Sequence, residues 1–357
     1  MNSNVFQLME QIKNEKINCS LMEVCGTHTM AIAKSGIRGI LPDNIRLLTG
    51  PGCPVCVTSQ ADIDAVIELS CHPDVILVTF GDMMRVPGSK GSLQEARSQG
   101  ADIRIVYSPL ETLEIARENP RRQVVFLGIG FETTAPTVAA TVQRADQLKL
   151  KNLSVYSVHK LVPPVLRAIF TDKTVQVDGL ICPGHVSVVT GIYPFAELAV
   201  QFQKPMVITG FDPEDILQGI ALLIGQLKSG EAKAELQYRR AVRPEGNPTA
   251  RQLLTQVFEP VDALWRGLGA IPASGLNFNI HYRDYDARRR FQIEVGNETE
   301  IPGCSCGAVL SGKLEPDQCP LFGNACTPIQ PVGPCMVSQE GACAASYRYQ
   351  PLREVRV

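Results

Sequence analysis

Ile45-Arg46-Leu47-Leu48-Thr49-Gly50-Pro51-Gly52-Cys53-Pro54-Val55-Cys56 carries an apolar, strand-like run into a Gly/Pro turn that ends in two thiols. A strand that hands its chain to a turn and then to a helix start is the repeating unit of a parallel sheet, and Pro54 suits the first turn of such a helix. Cys53 and Cys56 then stand at a strand end and a helix N-terminus, where the helix lowers thiol pKa. The pair reads as a redox couple or as half a metal site, against the plainer reading of two small buried hydrophobes.

Outward from this stretch, similar apolar, β-branched runs recur at Leu21 to Cys25, Val75 to Phe80, Ile103 to Tyr107, Val124 to Ile129, Leu153 to Ser157, Gly179 to Cys182 and Met206 to Thr209, separated by helix-length segments. Strands alternating with helices predict an α/β protein with parallel sheet. Shifted by 104 residues, the chain places Gly26-Thr27-His28-Thr29 over Gly130-Phe131-Glu132-Thr133, and Ser108-Pro109 over Asp212-Pro213. The reading is two similar parallel-sheet α/β units facing a cleft, plus a small C-terminal iron-sulfur domain. The boundaries it predicts are 1–120 with an N-terminal helix, 121–270 with a linker helix from about Thr249 to Trp265, and 271–357 rich in cysteine.

Ligands of open parallel sheets bind beyond the carboxyl ends of the strands. The unusual loops lie there: Cys25 to Thr29, Gly50 to Cys56, Gly81 to Arg85, Phe131 to Pro136, His159-Lys160, Cys182 to His185 and Phe211 to Asp215. Two facing units would bring all of them to the rim of one cleft.

Composition narrows the classes. With 34 basic and 36 acidic residues and a net charge of -2, the chain has no electrostatic footprint for nucleic acid or anionic lipid. Arg288-Arg289-Arg290, the densest basic run, reads as a solvated or phosphate-facing patch. No apolar run reaches the length of a membrane span, and Met1 to Lys16 lacks the plan of a signal peptide, so the predicted location is cytoplasmic. Six of the 12 cysteines fall between Cys304 and Cys343. In a reducing compartment such clustering argues for metal or catalysis over disulfides.

The tail thiols lack the close Cys-x-x-Cys knuckles usual for zinc, and irregular spacing amid Gly and Pro suits an iron-sulfur cluster. Cys306, Cys319, Cys326 and Cys343 are the first choice of ligands. Cys304 could replace Cys306, and Cys335 could replace Cys343 or stand as a nearby thiol. Structural zinc and a nest of free buried cysteines are the alternatives.

Cys25 and His28 share one helical turn, so they could bind one metal, or the imidazole could activate the thiol. A core cysteine and a capping histidine are the bland equivalents. Glu132 occupies the position aligned with His28 and would offer a carboxylate from the other unit. His159, His185, Asp82 and Asp212 read singly as caps or ion-pair partners, and Cys19 and Cys71 as structural. No P-loop, Gly-x-Gly-x-x-Gly turn or Gly-x-Ser-x-Gly elbow appears.

Taken together, Met22-Glu-Val-Cys25-Gly-Thr-His28-Thr, Leu48-Thr-Gly-Pro-Gly-Cys53-Pro-Val-Cys56, Gly130-Phe-Glu-Thr-Thr-Ala-Pro136, Gly210-Phe-Asp-Pro-Glu-Asp215, Cys319-Pro-Leu-Phe, Gly333-Pro-Cys335-Met-Val-Ser and Glu340-Gly-Ala-Cys343 resemble the HypD family of hydrogenase maturation proteins along nearly the whole chain. The resemblance implies a cytoplasmic maturation factor for nickel-iron hydrogenases. It implies a scaffold that works with the small chaperone HypC while iron acquires cyanide and carbon monoxide, with HypE and HypF supplying cyanide, and a [4Fe-4S] cluster in the tail. Soft-ligand chemistry agrees: Cys25 would anchor the transient Fe with its CN and CO ligands, His28 would orient or bind it, and Cys53 and Cys56 would relay electrons. Glu132 and Asp212 would shape the opposite wall or handle protons. The rival function is an iron-sulfur thiol-disulfide oxidoreductase acting on a protein disulfide.

Overall fold

The computed structural model describes residues 3–296, 298 and 301–349. Met1, and residues 350–357 of the predicted tail domain, lie outside the described residues.

Among the described residues eleven strands form: β1 (Cys19–Glu23), β2 (Ile45–Thr49), β3 (Val75–Thr79), β4 (Ile103–Ile105), β5 (Gln123–Gly128), β6 (Leu153–Ser157), β7 (Gly179–Cys182), β8 (Met206–Ile208), β9 (Ala234–Leu236), β10 (Phe258–Trp265) and β11 (Gly269–Phe278). They build a five-stranded sheet in the order β2-β1-β7-β8-β9, a four-stranded sheet in the order β4-β3-β5-β6, and the β10-β11 hairpin. Both larger sheets are parallel throughout. Numbered within its own sheet, each follows the order 2-1-3-4, the first adding β9. The prediction of two similar parallel-sheet units therefore holds.

The residues assigned to each unit differ from the prediction. One unit contains 1–56, 165–247 and 303–357, and the other contains 57–164 and 248–302. The contiguous boundaries at 120 and 270 are corrected accordingly: the chain leaves the first unit after β2, builds the second, and returns. The tail from Gly303 belongs to the first unit and 271–302 to the second, so 271–357 is not a separate domain. The 104-residue offset is also corrected, because it pairs non-equivalent strands, β1 (first in its sheet) with β5 (third), and β4 (second) with β8 (fourth). Each strand of a parallel sheet opens a helix with the same few residue types, so short matches arise between any two strand ends.

The first unit's core is Leu21, Leu47, Ile181 and Val207 packed against Val5, Met9 and Ile12 of the helix Ser3–Lys13 and Ile216, Ile220 and Ile224 of the helix Pro213–Ser229. Those helical spacings of three and four lay one apolar stripe on the sheet. In the second unit every residue of β3 is buried, as expected of a strand covered on both faces. Val138, Ala139, Val142 and Ala145 cover it together with Val257, Phe258, Leu276 and Phe278.

The predicted linker helix stops early. Helix runs only over Pro248–Val257, and Phe258–Trp265 is strand. Pro260 has no N–H for a helix interior, and Gly267 and Gly269, at φ +69° and +77°, turn the chain back into β11.

Arg288 is no solvated patch either. It donates to Asp62 Oδ1 at 2.6 Å and lies 4.6 Å over the Tyr156 ring. Burial pushes the Asp62 carboxyl up, but Arg288 and Lys160 outweigh it and hold the group below its ordinary range. Removing one partner of such a pair leaves a buried charge uncompensated. Arg288→Met should cost roughly 3–5 kcal/mol in urea unfolding of this unit, and a cost under about 1 kcal/mol would mean the pair is not stabilising.

Candidate thiol and metal site

In the first sheet the strand order reverses beside β1, which has β2 on one side and β7 on the other. At such a switch point the loops that follow the strands diverge and leave a crevice. Cys25 stands there as N-cap of the helix Gly26–Ser35. The loop after β7 reaches the same place: His185 Nδ1 lies 3.4 Å from Thr27 Oγ1. The turn Gly50-Pro51-Gly52 closes the other side. Gly26 N donates to Gly52 O at 2.8 Å and Gly50 N to Glu23 O at 2.7 Å. A Cβ on Gly52 would run into the backbone N of Cys25, which is why only glycine serves there.

Burial pushes the Cys25 thiol up to about 12; the N–H groups of His28 and Thr27 oppose the rise, and the Glu23 and Glu340 carboxylates add to it. Glu23 is wholly buried, accepting from Cys25 N at 3.0 Å and Thr29 Oγ1 at 2.6 Å. It fixes the loop, and burial raises its pKa to about 7. His28 is also wholly buried, its Nε2 2.9 Å from Gly210 O and 2.9 Å from Thr209 Oγ1. A carbonyl only accepts, so Nε2 carries the proton and Nδ1 keeps a lone pair with no protein partner. Burial lowers the His28 pKa to about 4, leaving the ring neutral, the form that binds metals. Phe211 packs between His28 and His185, with centroids 4.6 and 4.1 Å away.

These shifts fix a pH dependence. Glu23 and Glu132 rise from 4.5 to about 7 on folding, so their contribution to stability is full below pH 4.5 and is lost as pH rises through 7. His28 and His159 fall from 6.5 to about 4 and about 3, so theirs is complete above 6.5 and lost as pH falls through those values. Between pH 6.5 and about 7.5 the two carboxyls lose their protons in the folded protein and stability should fall, with the end of the histidines' titration in the unfolded chain offsetting part of that fall. Glu23→Gln should remove most of that net fall in urea unfolding, and an unchanged slope would exclude Glu23 as a source.

Cys53 and Cys56 form a disulfide across the single helical turn Pro54–Val57, their Cα atoms 5.3 Å apart. Both are buried, and Cys56 N donates to Cys53 Sγ at 3.2 Å.

The tail forms a nest of thiols. Cys304, Cys306, Cys319, Cys326, Cys335 and Cys343 line one small cavity, closed by apolar side chains such as Val309, Leu321 and Met336. Cys306 Sγ lies 3.0 Å from Cys335 Sγ, and a Cβ on Gly333 would stand 2.7 Å from Cys304 Sγ. Among the described residues, no three His, Cys, Asp or Glu side chains close on a single metal-ion position. A cluster of several irons takes its thiolates farther apart than one ion does. A lining of six thiols and apolar side chains, with Ser305 its one hydroxyl residue and no carboxylate or imidazole, fits an iron-sulfur cluster in donor chemistry.

Glu340 ties this nest to Cys25. It lies between Cys335 and Cys343 in sequence and accepts from Thr27 Oγ1 at 2.7 Å. A Cβ on Gly26 would meet its Oε2 at 2.7 Å. Neither Glu340 nor Glu23 was legible as a site residue. Each sits inside a cysteine motif, and that adjacency was the only signal.

The other predicted residues fall elsewhere. Glu132 belongs to the second unit, where it accepts from Val162 N at 3.0 Å and burial raises it to about 7. His159 belongs there too. Asp212 caps the helix Pro213–Ser229 in a reciprocal box with Asp215 and pairs with Arg240, which makes it structural. Cys182 is buried at the end of β7, and Cys71, read as structural, is exposed.

Fold and site together define a double α/β protein with a thiol-based centre in one unit. The chain belongs to the HypD family of hydrogenase maturation factors: that family's profile, described as hydrogenase formation hypA family, matches residues 2–350. The hydrogenase maturation factor HypD of Escherichia coli K12 is 44% identical over 355 residues, covering 97% of this chain and 95% of the relative. That of Rhodobacter capsulatus is 46% identical over 334 residues, 92% of this chain and 89% of the relative. The hydrogenase expression/formation protein HupD of Azotobacter chroococcum is 47% identical over 344 residues, 94% and 91%. No helix among the described residues is long and apolar enough to cross a membrane.

Proposed function

We propose that the protein is a cytoplasmic scaffold on which, together with the chaperone HypC, the iron of nickel-iron hydrogenase acquires cyanide and carbon monoxide, with HypE and HypF supplying the cyanide. The observation that carries this reading is the placement of Cys25, the neutral His28 and the Cys53–Cys56 disulfide around one switch point, with Glu340 linking them to the thiol nest.

Cys25 is the iron's anchor on this chain, shared with a cysteine of HypC. Its thiol is protonated when no metal is present, and iron binding displaces that proton. His28, its Nε2–H tied to Gly210 O, keeps the Nδ1 lone pair for the iron or for the departing proton. Glu23 and the Gly50-Pro51-Gly52 turn hold the loop rigid, and Phe211 limits water around the imidazole.

Closing the Cys53–Cys56 disulfide releases two electrons and two protons, and reopening it takes them up. A [4Fe-4S] cluster, when bound, supplies or accepts single electrons. Cys306, Cys319, Cys326 and Cys343 are its ligands in this reading, with Cys304 and Cys335 as neighbouring thiols. The rival oxidoreductase would have to present its disulfide to a protein substrate, yet Cys53 is 3% and Cys56 0% exposed. That burial favours the scaffold.

Metal analysis and visible absorption of anaerobically purified protein test the resident cluster. Iron and sulfide in equal amounts with a brown chromophore support it; stoichiometric zinc in a colourless protein overturns it.

A further inference from the structure

The second unit carries a groove that the maturation site does not use. It measures about 550 Å³ and lies between the helix Gln60–Ser70 and the stretch from Phe291 to Gly296. Its apolar lining comes from both sides, Ala65 and Leu69 from the helix, Phe291 and Ile293 from the stretch facing it. His72, just beyond the helix, meets the Phe291 ring edge-on with centroids 6.1 Å apart.

The charges along this apolar surface are of one sign. Asp64 and Glu68 line it from the helix and Glu294 from the other side, and no lysine or arginine does. Asp64 accepts only from neutral groups, Ser89 N and Oγ at 2.6 Å each and Gln60 Nε2 at 3.2 Å, which leave its charge in place. None of the three carboxylates is in an ion pair among the described residues. Such a groove repels nucleic acid, phosphate and anionic lipid and attracts cationic groups.

The stretch facing the helix narrows the occupant further. Exposure alternates along it, with Phe291, Ile293 and Val295 half-buried and Gln292, Glu294 and Gly296 exposed. From Glu294 to Gly296 it makes no backbone hydrogen bond among the described residues. A wall of this kind suits a second extended chain, which gains main-chain hydrogen bonds from it while alternate side chains meet the groove. We propose that this groove docks an extended, lysine- or arginine-bearing segment of a partner protein. Its apolar side chains lie against Leu69, Phe291 and Ile293, and its basic ones reach Glu68 and Glu294. A second copy of this chain does not supply such a segment from its densest basic run, because Arg288 is tied to Asp62 and Arg290 to Gln123 and the Asp284 carbonyl.

Fluorescence anisotropy of the full-length protein with a labelled peptide of alternating lysine and leucine, against its glutamate–leucine counterpart, tests this. The lysine peptide should bind one per chain, more weakly as salt is raised, and the glutamate peptide should not bind. Glu68→Lys combined with Glu294→Lys should weaken binding of the lysine peptide at least about tenfold, since both substitutions set like charges against it. Both side chains are exposed, so the thermal midpoint of that variant should match the wild type. No binding of the lysine peptide, equal binding of the two peptides, or undiminished binding in the double variant overturns the proposal. So does a dimer in sedimentation that the double variant dissolves, which would give the groove to a second copy.

Discussion

Cys25→Ala should abolish hydrogenase maturation without unfolding the protein. The side chain is buried, so the lost sulfur contacts cost stability, but the retained Cβ leaves the close approach of Gly52 intact and the cost should be about 1–2 kcal/mol. Burial above all, with Glu23 and Glu340 adding to it, pushes the thiol's pKa up to about 12, so the metal-free thiol is neutral and its removal leaves no buried charge uncompensated. No other thiol is assigned the anchoring role, since Cys53 and Cys56 are engaged with each other. In a host lacking its own copy, hydrogenase activity should fall by at least about 100-fold while the thermal midpoint moves by only a few degrees. Activity near wild type would remove Cys25 from the account.

Cys53→Ser and Cys56→Ser should each also abolish maturation, but by a different route. A disulfide closing so short a loop contributes only roughly 2 kcal/mol through the unfolded chain, so the fold should survive its loss. The turn that carries the pair is held independently by Gly26 N to Gly52 O and Gly50 N to Glu23 O. Iron bound in the complex with HypC should therefore persist in these variants while hydrogenase activity disappears. Joint loss of iron and activity would make the pair structural to the Cys25 loop, and full activity would end its role as a relay.

Much of this was legible in the sequence because strand and turn chemistry are local. The run Ile45 to Thr49 is β2 with the predicted bounds, and the glycines after it are where a turn presses on the Cys25 backbone. The two similar sheets follow from the alternation of apolar runs with helices. Which strands share a sheet does not, because β2 to β3 and β6 to β7 look like any other crossover although the chain changes unit there. Phe258 to Trp265 was misread because its apolar residues fit helix and strand periods alike, and Pro260 carried the deciding information. Cys25 and His28 were legible as a pair by spacing. The tautomer and neutrality of His28 were not, since they come from Gly210 and Thr209, some 180 residues away. Buried charges were invisible for the same reason: Arg288 looked like surface until Asp62 appeared beside it.

The central claim is that iron bearing cyanide and carbon monoxide is held on Cys25. Infrared spectroscopy of the anaerobically purified complex with HypC tests it most directly. The account predicts cyanide and carbonyl stretches in the wild-type complex and their absence with Cys25→Ala; unchanged bands in that variant would contradict it.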